Sequence, residues 1–142
     1  MSKEVGNHVV IKLDNGEDLF DSLRIAAEKH SIESGIVLSG LGMLQDFETS
    51  FFDIEAKEYQ THAVKEAYEL VSMKGSLAIA ENEEFMPHLH VALGGKDHKL
   101  MGGHLKKAKV AILNEITILK LPKGTLSRKM NPGSGLFEMT VQ

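Results

Sequence analysis

Only one stretch of this chain, Glu17 to His30, carries apolar residues at helical spacing, and nearly all of the chain beyond it reads as β-strand. Leu19, Phe20, Leu23, Ala26 and Ala27 fall on one side of that stretch. Glu17 and Asp18 stand in its first turn and Lys29 and His30 in its last, the arrangement that opposes the helix dipole. A single apolar stripe cannot enclose a core by itself. It has to rest on a sheet, which makes the expected class α+β.

The strands are read from short β-branched or alternating runs. Val5 to Leu13 is the first, and Asn15-Gly16 marks the turn after it. Ser34 to Gly42 (SGIVLSGLG) predicts a buried strand ending in a tight bend, and Leu44 to Ile54 a further strand. Lys65 to Ala80 is strand-rich with a bulge or bend near Gly75. His88 to Leu93 comes next, with a return near Leu100, and Lys109 to Leu121 is the longest β-like run before Pro122-Lys123-Gly124 stops it. Leu126 to Pro132 reads as a loop and Gly135 to Val141 as a final strand. One helix against roughly seven strands gives a sandwich-like α+β domain, and the 142 residues fit one domain, 1–142, long enough to bury a core without staples.

Chemistry concentrates in Pro87-His88-Leu89-His90-Val91-Ala92-Leu93-Gly94-Gly95 and Met101-Gly102-Gly103-His104-Leu105. In an extended strand residues i and i+2 share a face, so His88 and His90 are displayed together while Leu89, Val91 and Leu93 anchor the opposite face. A returning strand can bring His104 to the same patch. Three neutral imidazoles with an open position are the ligand set of a catalytic-type zinc site. The alternative is a set of surface histidines that touch only water. His98, in Lys96-Asp97-His98-Lys99, reads as part of a solvated turn and is left outside the cluster.

Glu69 and Glu115 sit inside apolar strands, where a carboxylate wants a partner. Each either orients a ligand histidine or points outward from a half-exposed strand. Gly40-Leu41-Gly42 lacks the remaining glycine of a dinucleotide fingerprint, and no helix comes directly after it. No nucleophile-elbow motif supports a serine triad.

The chain has no cysteine, so thiolate ligation and disulfides are excluded. No stretch approaches the ~18 apolar residues of a membrane span, and Met-Ser-Lys-Glu-Val-Gly has no apolar signal core, which together predict a cytoplasmic protein without membrane contact. The net charge is −4, against the basic domain expected of a dedicated nucleic-acid binder. Bases nonetheless gather late, at Lys106, Lys107, Lys109, Lys120, Lys123, Arg128 and Lys129. They form either a solvated rim or phosphate contacts collected in an oligomer.

Ser39-Gly40-Leu41-Gly42, Tyr68-Glu69-Leu70-Val71-Ser72-Met73-Lys74-Gly75, Pro87-His88-Leu89-His90-Val91, Gly102-Gly103-His104-Leu105 and Glu115-Ile116, in that order, resemble the plants-and-prokaryotes-conserved (PPC) domain family, stand-alone prokaryotic type. The similarity runs from about Val9 to Leu121. It implies a mainly antiparallel mixed sheet with one packed helix (α/β), assembled as a homotrimer, and a metal site, zinc, on His88, His90 and His104. In plant members an AT-hook precedes the domain and grips DNA; no Arg-Gly-Arg core occurs in this sequence, so DNA binding rests on family analogy. Glu69 matches the acidic residue of the family's E-L-x-S strand. Three functions are expected, in order of preference: a trimeric metal-binding module; a zinc-dependent hydrolase on a small substrate, with Glu69 as candidate catalytic base; and a regulator associated with DNA or a protein partner.

Overall fold

The computed structural model describes residues 1–142. Its strands are β1 (Ser2–Val5), β2 (His8–Asp14), β3 (Ser34–Asp53), β4 (Glu58–Val64), β5 (Tyr68–Ala80), β6 (Phe85–Gly94), β7 (Leu100–Lys120), β8 (Leu126–Asn131) and β9 (Leu136–Val141), and its one helix is α1 (Leu19–Lys29). The class is α+β, with one mixed, mainly antiparallel sheet of nine strands. No helix is long and apolar enough to cross a membrane.

The helix forms where the spacing predicts it. Asp18 caps it, its carboxylate accepting the Phe20 and Asp21 backbone N–H groups at 3.0 Å each, a contribution of about 1 kcal/mol. Leu19, Leu23, Ala26 and Ala27 are buried and face β2 and β7. Val9, Ile11 and Leu13 alternate inward from β2 to meet them. These side chains join Phe47, Leu70, Met73, Leu77, Leu89, Leu93 and Ile116 in one core cluster of 23 buried residues.

β3 and β7 are the frame. They are antiparallel neighbours over most of their lengths, and each also feeds other strands. β7 pairs β2 through its C-terminal half and β6 through its N-terminal end. β6 pairs β5, and β5 pairs β3. The path β3–β5–β6–β7–β3 therefore closes on itself, and β1 with β2, β4, and β8 with β9 extend from this closed unit. Closure brings the N-terminal end of β7 against both β6 and the far end of β3, with His104 opposite His90 on one side and Ser50 on the other.

Five elements differ from the sequence reading, one of them β7, in which the return near Leu100 and the run from Lys109 are a single strand, Leu100–Lys120. The bend expected after Gly42 is absorbed as a bulge, so Ser34–Asp53 is one strand; Gly42 takes a φ of 133° and the register against β7 jumps there. The first predicted strand is a hairpin, whose outer strand β1 is too polar to announce itself. β4 has no counterpart in the sequence reading: it pairs only with β3, and all but two of its residues are exposed, so it lacks apolar alternation. The loop predicted over Leu126 to Pro132 is strand β8, parallel to the end of β5 at Ile79–Ser127 and Ala80–Arg128 and antiparallel to β9. It escapes detection because its second buried position holds an arginine instead of a hydrophobe.

Candidate metal centre

β6 presents His88 and His90 on one face with Leu89 and Val91 buried on the other. Two glycines decide how close the neighbouring strands come. A Cβ at Gly75 would fall on the His88 carbonyl oxygen, and one at Gly102 on the Val91 carbonyl oxygen, both well inside van der Waals contact. Glycine at these two points lets β5 and β7 lie tightly on either side of the histidine strand.

The three imidazoles then converge. Each offers one nitrogen, and these atoms lie within 4.8 Å of one another. Ring centroids are separated by 5.1 Å (His88–His90), 5.1 Å (His88–His104) and 5.6 Å (His90–His104). The Nε2 atoms of His88 and His90 are 3.2 Å apart. Two nitrogens each about 2.0–2.1 Å from one zinc ion at the tetrahedral angle stand about 3.3–3.4 Å apart, so the pair has the spacing of shared ligation. His104 Nδ1 is buried and has no hydrogen-bond partner, an orphaned polar atom that an ion or a bound ligand would satisfy. The donor set fits a metal.

Electrostatics agree. Burial, reinforced by His88, His90, Lys106 and Arg128, pushes the His104 pKa down to about 4. Burial, then Arg128 and His90, also lowers that of His88. Both rings are therefore neutral at pH 7, the form that coordinates a metal. In metal-free protein the same shift has a stability consequence. Between about pH 6.5 and pH 4 the unfolded chain protonates His104 while the folded chain does not, so stability falls as pH falls through that window. Water reaching the half-buried ring limits the penalty to about 1–2 kcal/mol. Thermal unfolding of chelator-treated protein at pH 7 and pH 4.5 is expected to show it as a loss of several degrees, and the loss shrinks when His104→Gln is compared over the same interval.

The other sequence candidates lie elsewhere. Glu69 is exposed, opposite Gly94 and Met43, five residues along β5 from the Lys74 that faces His90, a span of about 16 Å. It is not brought to the histidines as a base or an orienting carboxylate. Glu115 is exposed opposite Lys12. His98 sits in the turn between β6 and β7 with a φ of 62°. The late bases do not form a free basic stripe on the single chain. Lys107 pairs with Glu48 (3.1 Å), Lys109 with Asp46 (3.2 Å), Lys120 with Glu4 (3.3 Å) and Lys123 with Glu33 (2.8 Å). Arg128 is buried rather than offered to a phosphate backbone.

Two neighbours of the cluster escape the sequence reading. Tyr59, on β4, stacks on His104 at 5.3 Å and 28°, with Lys106 Nζ 4.8 Å above the tyrosine ring. Ser76, on β5, lies opposite His88 and accepts from Arg128 Nη2 at 2.6 Å. Neither carries a local signal. The nearest hint is the spacing of Leu126 and Arg128, which puts the arginine on the buried face of its strand.

The fold is thus a closed, bulged sheet with one helix, and three histidines gather at one place on it. The Plants and Prokaryotes Conserved (PCC) domain model matches residues 1–122, and the chain belongs to that family. Two solved structures share the whole fold. A metal-containing protein from Archaeoglobus fulgidus is 30% identical with a TM-score of 0.85, covering 96% of this chain and 95% of its own. A candidate DNA-binding protein from Bacteroides thetaiotaomicron is 25% identical with a TM-score of 0.89, covering 99% and 96%. Among curated relatives, the bifunctional protein GlmU of Synechococcus sp. (strain JA-2-3B'a(2-13)) is 26% identical over 133 residues, 93% of this chain. The chain spans about a fifth of the length of the curated relatives it matches.

Proposed function

We propose that this chain is a metal-binding module that holds one zinc ion on His88, His90 and His104 and works as a homotrimer. The observation that carries the reading is the meeting of three imidazole nitrogens within 4.8 Å of one another, on a set whose His104 also carries a buried Nδ1 without a hydrogen-bond partner. An all-imidazole set suits zinc among the common divalent ions, and three protein ligands leave a position open. The metal-containing relative from Archaeoglobus fulgidus supports the same reading. Support for the trimer comes from apolar side chains left in water on the framing strands: Leu41 on β3, Val71 on β5, and Leu100 and Ile112 on β7. Sheet positions of this kind are expected to be covered by another copy.

The test is metal analysis of protein purified without added zinc, followed by zinc titration of chelator-treated protein and light scattering. One zinc per chain at a mass of three chains is expected. A protein that takes up no zinc removes the metal reading, and a monomer removes the assembly.

A zinc ion so held would supply a water acidified toward neutrality, the starting point of the hydrolase alternative. Within one chain Glu69 lies about 16 Å along β5 from the position that faces His90. DNA association is the reading suggested by the Bacteroides relative. With four of the late lysines neutralised by carboxylates, it predicts weak binding that a salt titration would abolish.

A further inference from the structure

A cavity of about 620 Å³ opens beside the histidines, with His88 and His104 on one side and β9 on the other. Its size falls in the range of small-molecule sites. Arg128 lines it and is only 2% exposed. Its Nε donates to the Met86 carbonyl oxygen at 3.3 Å and its Nη2 to Ser76 Oγ at 2.6 Å. Both acceptors are neutral. Arg128 belongs to none of the ion pairs of the fold. Glu138, the carboxylate in the lining, is exposed and accepts from Asn131 Nδ2 at 2.7 Å and Ser134 Oγ at 3.1 Å. A buried guanidinium has five N–H donors and a full charge, and here at most a part of that capacity is used and none of the charge is balanced. Met86, Pro87, Leu136, Phe137 and Met139 make the apolar part of the wall, with Tyr59 and Gly135 beside them.

We propose that this cavity binds a small organic oxyanion, a carboxylate or phosphate group on an apolar body, with Arg128 as its anchor. A guanidinium fork matches either head group in two parallel hydrogen bonds, and the desolvated setting strengthens them. The apolar wall and the volume exceed what a bare inorganic anion would fill, so the body of the ligand lies along β9. Strands β8 and β9 lie beyond the residues matched by the family model, so the wall that selects the body comes from outside the matched region. The anchor is Arg128 and not the ion, so the inference goes beyond the metal reading and is tested without metal.

Chelator-treated protein is titrated calorimetrically with octanoate, octyl phosphate, octanol and inorganic phosphate. Octanoate or octyl phosphate is expected to bind at least tenfold more tightly than octanol and than inorganic phosphate, and the tighter of the two identifies the head group. Arg128→Met keeps the apolar stem and is expected to lose that preference. Should it fail to fold, Met139→Glu serves in its place: Met139 lies opposite Arg128 across β8 and β9, is about half exposed, and a carboxylate there is expected to weaken the anionic probes at least tenfold more than it weakens octanol. Binding of octanol as tight as that of the anions, no binding of any probe, or a preference that survives Arg128→Met (or Met139→Glu where that variant stands in for it) overturns the proposal. A failure of zinc uptake leaves these measurements unaffected, so the two readings fall separately.

Discussion

Alanine at His104 is expected to cut zinc affinity by at least about 100-fold while the protein stays folded. His104 is the member of the cluster that arrives from a different strand, and its ring is held by Tyr59 on one side and by β6 on the other. Removing it leaves two nitrogens from a single strand, 3.2 Å apart, which can still touch an ion but no longer enclose it. His104→Ala also deletes a buried, partnerless nitrogen, so the metal-free variant loses little stability and gains some at mildly acid pH. Zinc titration against a competing chelator, with parallel denaturant melts of metal-free protein, separates the two effects. An affinity within threefold of wild type would mean that the ion does not sit among these rings. His88→Ala and His90→Ala are expected to weaken zinc binding likewise.

Alanine at Gly75 is expected to destabilise the fold by about 3 kcal/mol or more, although it adds one methyl group. That methyl would overlap the His88 carbonyl oxygen and press on the Leu89 backbone, so β5 and β6 must separate where the histidine strand is paired. Backbone cannot swing aside as a side-chain tip can, which is why the cost exceeds the usual effect of alanine for glycine. Because His88 moves with its strand, zinc affinity falls with stability. Gly94→Ala is the control. It lies on the histidine strand β6, its nearest neighbour would be Val71 at 3.5 Å, and it is expected to change stability by less than about 1 kcal/mol. Urea melts of both variants, with zinc titration of whichever folds, test the pair. Equal effects would show that the close approach of β5 and β6 is not what Gly75 serves.

The two results probe different contributions of the sequence. His88 and His90 form a local signal: two residues apart on a strand whose alternate positions are apolar, they share a face for steric reasons that need no knowledge of the rest of the fold. His104 is legible only because glycines precede it and the chain must return, whereas its register opposite His90 rests on long-range pairing. Arg128 reads as loop and Tyr59 gives no signal at all, because both sit on short polar strands. Glu69 is the converse case, with both a functional and an outward-facing reading open in the sequence. A carboxylate in an apolar run invites a functional role, and here it simply faces water.

By itself the sequence determined the class of fold, the single helix and the shared face of His88 and His90. All of these arise from periodicities of 3.6 and 2 and from side-chain chemistry within a few residues. Tertiary structure decided that the β3–β5–β6–β7 path closes, that bulges fuse the runs around Gly42 into one strand, and that a lone arginine ends up beside His88 and His104 in a cavity. The reason is physical: strand register and closure are set by hydrogen bonds between residues tens of positions apart, and no local pattern encodes which partner satisfies them.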